Sequence, residues 1–244
     1  MVSFFPNTSK DRGTGKSVES YREWETQKNI LTKVKEKIAY NRASKYTENI
    51  SSNKENGFEI NGVKQGKQMS IEKADKGNSN PLYVTNKAEY TKNCQRCVWT
   101  YELRRRGYDV IANNAILDGT DTLAYMRRAD GWANVAKDGV ENLISMASAK
   151  GIGCKKNIEK QMQSFGDGAR AIIRVQWQNY PCGHVFIAEQ ANGATQFIDP
   201  QTGDLNASKY FETGMIKPQK TYLLRTDDKE ITDLINKCAK GKGK

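Results

Sequence analysis

Five cysteines and a single histidine are the residues of this chain that invite chemistry. Cys94 and Cys97 form a Cys-x-x-Cys pair, Cys182 stands two residues before His184, and Cys154 and Cys238 stand apart. A thiol of pKa about 8.5 is mostly protonated at neutral pH, and a helix N-terminus or a neighbouring imidazolium generates the thiolate nucleophile. Asn93 is a good N-cap, which would put Cys94 at the positive end of a helix dipole among unpaired backbone N–H groups. Position therefore favours Cys94 as a nucleophile, with Cys97 one turn further in as the alternative. The Cys94 N–H and the Asn93 carboxamide are candidate donors to an oxyanion. Two other readings stay open. Both cysteines can pack as small hydrophobes, or Cys94, Cys97, Cys182 and His184 can supply three thiolates and one imidazole, an acceptable tetrahedral zinc set.

His184 opens an apolar run, His184–Gln190, that is separated from Ala194–Asp199 by Asn192-Gly193. Asn-Gly between such runs is the strongest short-range hairpin signal. With a two-residue turn, Ala191 pairs with Ala194, Ile187 with Ile198, Phe186 with Asp199 and His184 with Gln201. Side chains alternate faces at period two, so Val185, Ile187 and Ile198 share one face, expected to be the buried one. His184, Phe186, Asp199 and Gln201 share the other. His184 and Asp199 become diagonal neighbours about 7–8 Å apart at Cα, within reach of an imidazole–carboxylate hydrogen bond. Asp199 could then hold one ring nitrogen protonated and leave the other to act as a base.

The elements that must position these residues are legible around them. Cys94–Arg106 reads as a helix that Gly107 ends by taking the left-handed position. Tyr108–Ala112 reads as a strand, and helices are expected at about 133–149 and 155–164. In Ala169–Trp177, Ala171, Ile173, Val175 and Trp177 fall on one face at period two, so it is a strand. Thr221–Arg225 is a further strand candidate. Helices precede an antiparallel sheet, the α+β arrangement. From Ser17 to about Tyr46, Tyr21, Trp24, Leu31, Val34 and Ile38 recur at helical steps, expected to dock on the main domain or on a partner. The organisation expected is an arm and amphipathic helix (1–46), a weakly ordered polar linker (47–80), a compact domain (81–230) and a basic tail (231–244).

Composition narrows the function classes. Lys plus Arg total 39 against 28 Asp plus Glu, a formal charge of +11, and the mean hydropathy is −0.78. The hydrophobic fraction, 37%, is below the about 45–50% of an average globular domain. No apolar run approaches the roughly 18 residues that span a bilayer, so no membrane partner is expected. The positive charge is dispersed apart from Arg104-Arg105-Arg106 and the tail lysines, and no nucleic-acid-binding motif accompanies it, so no specific nucleic-acid partner is expected. Gly13-Thr-Gly-Lys-Ser17 is not a phosphate-binding loop, because that motif needs glycine where Lys10 stands. The N-terminal Met1-Val-Ser-Phe-Phe-Pro6 lacks the basic and apolar regions of a secretory signal, and the cysteine count is odd. A reducing compartment is the expectation.

Three blocks together are similar to a known family. Asn93-Cys-Gln-Arg-Cys-Val-Trp-Thr-Tyr-Glu-Leu-Arg-Arg-Arg-Gly-Tyr-Asp-Val110, Gly183-His-Val-Phe186 and Ile198-Asp-Pro-Gln-Thr-Gly203 resemble the papain-fold toxins, glutamine-deamidase-like domains of bacterial polymorphic toxins. With Asn80-Pro-Leu-Tyr83 upstream, the form resembles domains at the C-termini of phage minor head proteins. The resemblance covers about residues 80–225. It implies a papain-like fold and a Cys-His-Asp triad of Cys94, His184 and Asp199, with Asn93 and Gln201 as oxyanion or orienting groups and no cofactor. Papain-type enzymes place the nucleophile second in a Cys-x-x-Cys-Trp run, which would choose Cys97, but Val98 follows it here. The glutamine those enzymes carry six residues earlier is absent at both candidate positions, Ala88 and Thr91. The implied activity is hydrolysis of a protein substrate, by deamidation or peptide cleavage, in a toxin or a phage-head-associated enzyme. Its implied partners are an immunity protein or a phage head or portal, and its location is the bacterial cytoplasm, a virion or a target cell. A virion structural protein with a degenerate fold is the alternative.

Overall fold

The computed structural model describes residues 18–43, 59–75, 77–123 and 131–242. The polar arm before Val18 and the first part of the expected linker, to residue 58, lie outside the described residues. The chain divides into two compact units, Met1–Ile38 and Ala39–Lys244. Helix α1, Val18–Ala43, realises the helical pattern expected near the N-terminus and runs across that division. In the first unit its Ile30, Leu31, Val34 and Ile38 are exposed.

The second unit is built in chain order from the hairpin β1 (Glu59–Ile60) and β2 (Val63–Lys64), then short helices α2 (Ile71–Ala74) and α3 (Ala88–Thr91). Helix α4 (Cys94–Arg105) and strands β3 (Val110–Ala112) and β4 (Ile144–Ser145) follow. Helix α5 (Gly151–Phe165) leads into β5 (Arg170–Gln176), β6 (Gly183–Ala191), β7 (Ala194–Ile198), β8 (Tyr222–Arg225) and β9 (Ala239–Gly241). The main sheet has the order β4-β8-β5-β6-β7 with every neighbouring pair antiparallel, which with the flanking helices makes the α+β arrangement. The β6–β7 hairpin has the register read from its turn, Ala191 opposite Ala194 and Ile187 opposite Ile198. Asn192 and Gly193 take φ of 51° and 74°, the positive pair that lets a two-residue turn match strand twist.

Both faces of this sheet are covered, which corrects the expectation of one buried face. Val185, Ile187 and Ile198 join Val98, Trp99 and Tyr101 of α4 in one core cluster. Phe186, Ala188 and Phe197 join Cys154, Ile158 and Met162 of α5 in the other. The physical reason is in β6 itself, where Val185-Phe-Ile-Ala188 is continuously apolar, the pattern of a strand buried on both sides. The α5 residues recur every four positions, the single stripe of a helix with one buried face.

Helix α4 has no such stripe: apart from Gln95, every one of its residues is buried. Its charges are matched inside the fold. Glu102 accepts from Arg106 Nε at 2.7 Å and from Arg170 Nε at 2.8 Å, and Arg105 Nε donates to Glu189 at 2.9 Å. Arg96 makes a two-pronged pair with Asp121 at 2.6 and 3.0 Å. The Arg104-Arg105-Arg106 run that looked like a massed basic surface is therefore internal. The helix ends where expected, at Gly107, whose φ is 106° and whose missing Cβ would stand 2.5 Å from the Gly66 carbonyl.

Other elements differ from expectation. No helix fills 133–149; a 3₁₀ turn, Gly131–Val135, and strand β4 stand there. Asp138 has φ of 53°, and a Cβ on Gly139 would meet the Ala133 carbonyl at 1.9 Å, so the backbone folds back where a helix would continue. The later part of the expected linker is structured. Asn61-Gly62 is a second Asn-Gly turn with φ of 47° and 79°, and Ile60 and Ile71 are fully buried. Part of the basic tail is also a strand, β9, paired antiparallel with β3.

Burial makes Glu102 the most consequential of the internal charges. Burial alone would raise its pKa, but Arg170 and Arg106 outweigh that and hold it well below the carboxylate range. Its lowered pKa means the stability it contributes is full at neutral pH and is lost progressively as the pH falls below the ordinary carboxylate range. Glu102→Gln leaves two buried guanidinium groups without their counter-charge, and chemical denaturation should show a loss of about 3–5 kcal/mol. A loss under about 1 kcal/mol, the size of an exposed pair, would contradict this account.

Candidate active site

The site begins at the start of α4. Cys94 is its first residue and is 7% exposed, whereas Cys97 is wholly buried. Cys94 and the next residue occupy helix positions whose N–H groups have no intrahelical acceptor, while the N–H groups of Arg96 and Cys97 donate to the Asn93 carbonyl. The Asn93 side chain does not cap the helix as expected. Its Nδ2 donates to the Asn113 carbonyl at 3.0 Å and to Asn80 Oδ1 at 3.3 Å. Its Oδ1 accepts from Asn80 Nδ2, from Gln201 Nε2 and from the Cys97 thiol, each at 3.3 Å. This carboxamide is fully buried and engaged at both ends, so in this structure it is a strut rather than a free oxyanion donor. Burial, followed by the neighbouring Cys94 and Asp199, pushes the Cys97 thiol well above its ordinary range, against a smaller opposing effect of Arg96.

The second half comes from the hairpin. Gly183 begins β6, and a Cβ there would stand 2.4 Å from the Val175 carbonyl, so only glycine lets β6 close on β5 beside the histidine. His184 follows, 8% exposed, with Nε2 3.0 Å from Asp199 Oδ2. A carboxylate only accepts, so Nε2 carries the proton and Nδ1 is left to the other side of the ring. The Cys94 thiol lies near enough to that ring to bear on its protonation. Cys94, His184 and Asp199 are thus brought together, and Gln201 joins them through its backbone N–H, which donates to Asp199 Oδ1 at 3.0 Å.

Two residues missed in the sequence complete the surroundings. Tyr210, on a 3₁₀ turn (Ala207–Phe211), donates its hydroxyl to Asp199 Oδ2 at 2.7 Å and meets the His184 ring edge-on at 5.6 Å. Trp177 stacks on His184 with centroids 5.7 Å apart and planes 17° apart. Trp177 had a signal: Val175 pairs with His184, and period two carries the tryptophan to the same face. Tyr210 had none, because an irregular turn brings it in. Asn80, which donates to the Gln201 carbonyl at 3.0 Å, ties the segment before α3 to the Asp199 turn.

The zinc alternative is not assembled. Among the described residues no three His, Cys, Asp or Glu side chains converge to hold a metal ion. Cys182 is exposed in the loop before β6, while Cys97 is sealed beneath Asn93. Nor is any helix among the described residues long and apolar enough to cross a membrane.

The electrostatics of the pair follow from burial and partners. Burial lowers the His184 pKa, but the charge and hydrogen bond of Asp199, then the contact with Cys94, outweigh it and raise it to about 10. Burial raises the Asp199 pKa, and His184, the Tyr210 hydroxyl and the Gln201 N–H together bring it below the usual range. Because the His184 pKa rises on folding, the stability it confers is full below pH about 6.5 and is lost as the pH climbs through about 10. The chain's one histidine gives one imidazole resonance, so proton NMR reads this titration without assignment. The midpoint should lie far above 6.5, and Asp199→Asn, which leaves burial unopposed by a carboxylate, should drop it below 6.5. A wild-type midpoint near 6.5 would disprove the ion pair.

No curated protein and no solved structure matches the chain. Residues 92–204 match the family model described as papain fold toxin 1, glutamine deamidase. That match runs through the start of α4, the histidine strand and the Asp199 turn, so the resemblance to the papain-fold toxin, glutamine deamidase family is shown for the stretch that holds Cys94, His184 and Asp199.

Proposed function

We propose that this domain is a cysteine-dependent protein-glutamine deamidase, a toxin or effector enzyme, with Cys94 as nucleophile, His184 as general acid and base and Asp199 as the orienting carboxylate. The observation that carries the reading is the His184 ring, bonded to the Asp199 carboxylate at 3.0 Å and near enough to Cys94 for the thiol to bear on its protonation. Proximity to this ring and access to solvent support Cys94 over Cys97 as the nucleophile. Cys97 has no such access, and its thiol donates to Asn93.

Each step of this reading is assigned to one of these groups. His184 is already protonated, so the Cys94 proton leaves to solvent, and the sulfur, as thiolate beside the imidazolium, attacks the carboxamide carbon of a glutamine side chain. The oxyanion forms over the start of α4, where the N–H of Cys94 is the donor of choice, since the Asn93 carboxamide is engaged elsewhere. The imidazolium then gives its proton to the departing ammonia, leaving a thioester on Cys94. Water that loses its proton to the now neutral His184 attacks the thioester, and the products are glutamate and the Cys94 thiolate beside the reprotonated imidazole. Gln201 and Tyr210 act on Asp199, holding it ionised and oriented toward Nε2. Peptide cleavage would use the same steps with an amine leaving group; the family match supports deamidation.

Purified chain incubated with protein substrates should convert glutamine to glutamate, read as the corresponding mass gain and released ammonia. Cys94→Ala and His184→Ala should each lower the rate by about a thousandfold or more, while Cys97→Ala should retain activity in whatever fraction folds. Activity that survives Cys94→Ala and fails with Cys97→Ala would reassign the nucleophile; activity that survives both would defeat the mechanism. Iodoacetamide at pH 6.5 offers an independent reading and should label Cys94 in preference to the other cysteines.

The pH profile carries a signed expectation as well. The falling alkaline limb of kcat/KM reports loss of the His184 proton, so it should lie near pH 10 and not near 6.5. Tyr210→Phe removes one donor from Asp199 without touching the thiol, which should lower kcat through misorientation of His184 and leave KM close to its original value.

A further inference from the structure

Beyond the site, the molecule has a second concavity, with a strongly basic lining. A groove of about 850 Å³ lies at the other end of α4, between the loop after β2, helix α2, the α4 terminus and the end of β9. Five cationic side chains line it, those of Lys64, Lys67, Lys73, Arg104 and Lys242, against a single carboxylate, Asp109. That carboxylate is already shared, by Arg104 at 2.9 Å and Lys242 at 3.2 Å. Lys64 has Glu59 at 3.7 Å, an exposed pair of little energy. Among the described residues neither Lys67 nor Lys73 faces a carboxylate partner.

Arg104 distinguishes the groove from an ordinary solvated face. It is 3% exposed, its terminal nitrogens donate to Asp109 and to the Val110 and Lys73 carbonyls, and its buried Nε has no acceptor. Its terminal nitrogens are engaged by these acceptors, so what Arg104 adds to the groove is a fixed positive charge in the wall, which attracts an anion seated there. Concave walls carrying one sign of charge concentrate the field and raise the local anion concentration. The volume is that of a small-molecule site, not of a duplex track, and lysine ammonium groups around a buried guanidinium are the partners of phosphate oxygens.

We propose that this groove binds a multiply phosphorylated group, held by Lys67, Lys73 and Lys242 around Arg104. The site is separate from the candidate active site: the ten residues from Cys94 to Arg104 span about 15 Å along α4. It does not depend on the deamidase reading, and its test does not use activity. Such a ligand joins the β2 loop, α2, the end of α4 and β9, so its binding stabilises the folded chain by mass action.

Isothermal titration calorimetry of the full chain with inorganic tripolyphosphate, at matched ionic strength, should give one saturable site and a raised melting temperature. Lys67→Ala and Lys73→Ala, both exposed side chains, should each weaken binding about tenfold with the unliganded melting temperature unchanged. Lys33→Ala and Lys35→Ala on α1 should leave it intact. Vesicles containing phosphatidylinositol bisphosphate distinguish the source: retention that depends on Lys67 and Lys73, with weak binding of free tripolyphosphate, assigns the phosphates to a lipid headgroup. Equal losses from the groove and α1 substitutions would overturn the proposal. So would duplex DNA displacing tripolyphosphate at equal phosphate concentration.

Discussion

The Asp199 carboxylate is removed from water and still ionised, and the arrangement of the site follows from what that demands. A buried carboxylate without partners becomes neutral. Here three donors converge on it: His184 Nε2 at 3.0 Å, the Tyr210 hydroxyl at 2.7 Å and the Gln201 N–H at 3.0 Å. Each donor belongs to a different element, so β6, the turn after β7 and the 3₁₀ turn at Ala207–Phe211 must all be in place before the charge is tolerated. The same charge holds the imidazole protonated and fixes its direction, and Trp177 and Tyr210 pack against its ring. Folding and the chemistry of the site thus share one constraint.

A second constraint positions the cysteine. Helix α4 is buried nearly all round, so its polar side chains must find partners in the interior, and each partner is also a geometric peg. Glu102 is bound to Arg170 of β5, Arg105 and Tyr101 to Glu189 of β6, and Arg96 to Asp121. Directional pairs of this kind specify rotation and register along the helix in a way that apolar packing alone does not. Cys94 is held against His184 because the other end of its helix is pinned to the strand that carries the histidine.

The hairpin was legible because its information is local: Asn192-Gly193 prefers positive φ at both positions, and period two then aims His184 and Asp199 together. The start and end of α4 were legible for the same reason, through Asn93 and Gly107, although the Asn93 side chain turns away from capping. What could not be read was long-range. The arginines at 104–106 look like surface charge until the distant partners of two of them, Glu189 for Arg105 and the Thr226 carbonyl for Arg106, 84 and 120 residues away, are known. Asn61-Gly62 carried the same signal as the later turn but sat in a polar stretch, where two buried isoleucines do not stand out. A helix was expected around 133–149, and the close approach at Gly139 that forbids it is invisible without the fold.

Cys-x-x-Cys here joins two residues with different work. One turn of helix separates Cys94, at the solvent edge and against the imidazole, from Cys97, whose thiol donates to Asn93 Oδ1. That oxygen also accepts from Gln201, whose own backbone N–H is bound to Asp199. Cys97, Asn93, Gln201 and Asp199 therefore form one buried chain of hydrogen bonds from the start of α4 to the carboxylate behind the histidine. The inner thiol, pushed far from ionisation by burial, acts as a neutral donor in that chain. The second position of the motif thus has a physical account: one turn along the helix from Cys94, Cys97 locks the helix start to the turn that holds Asp199.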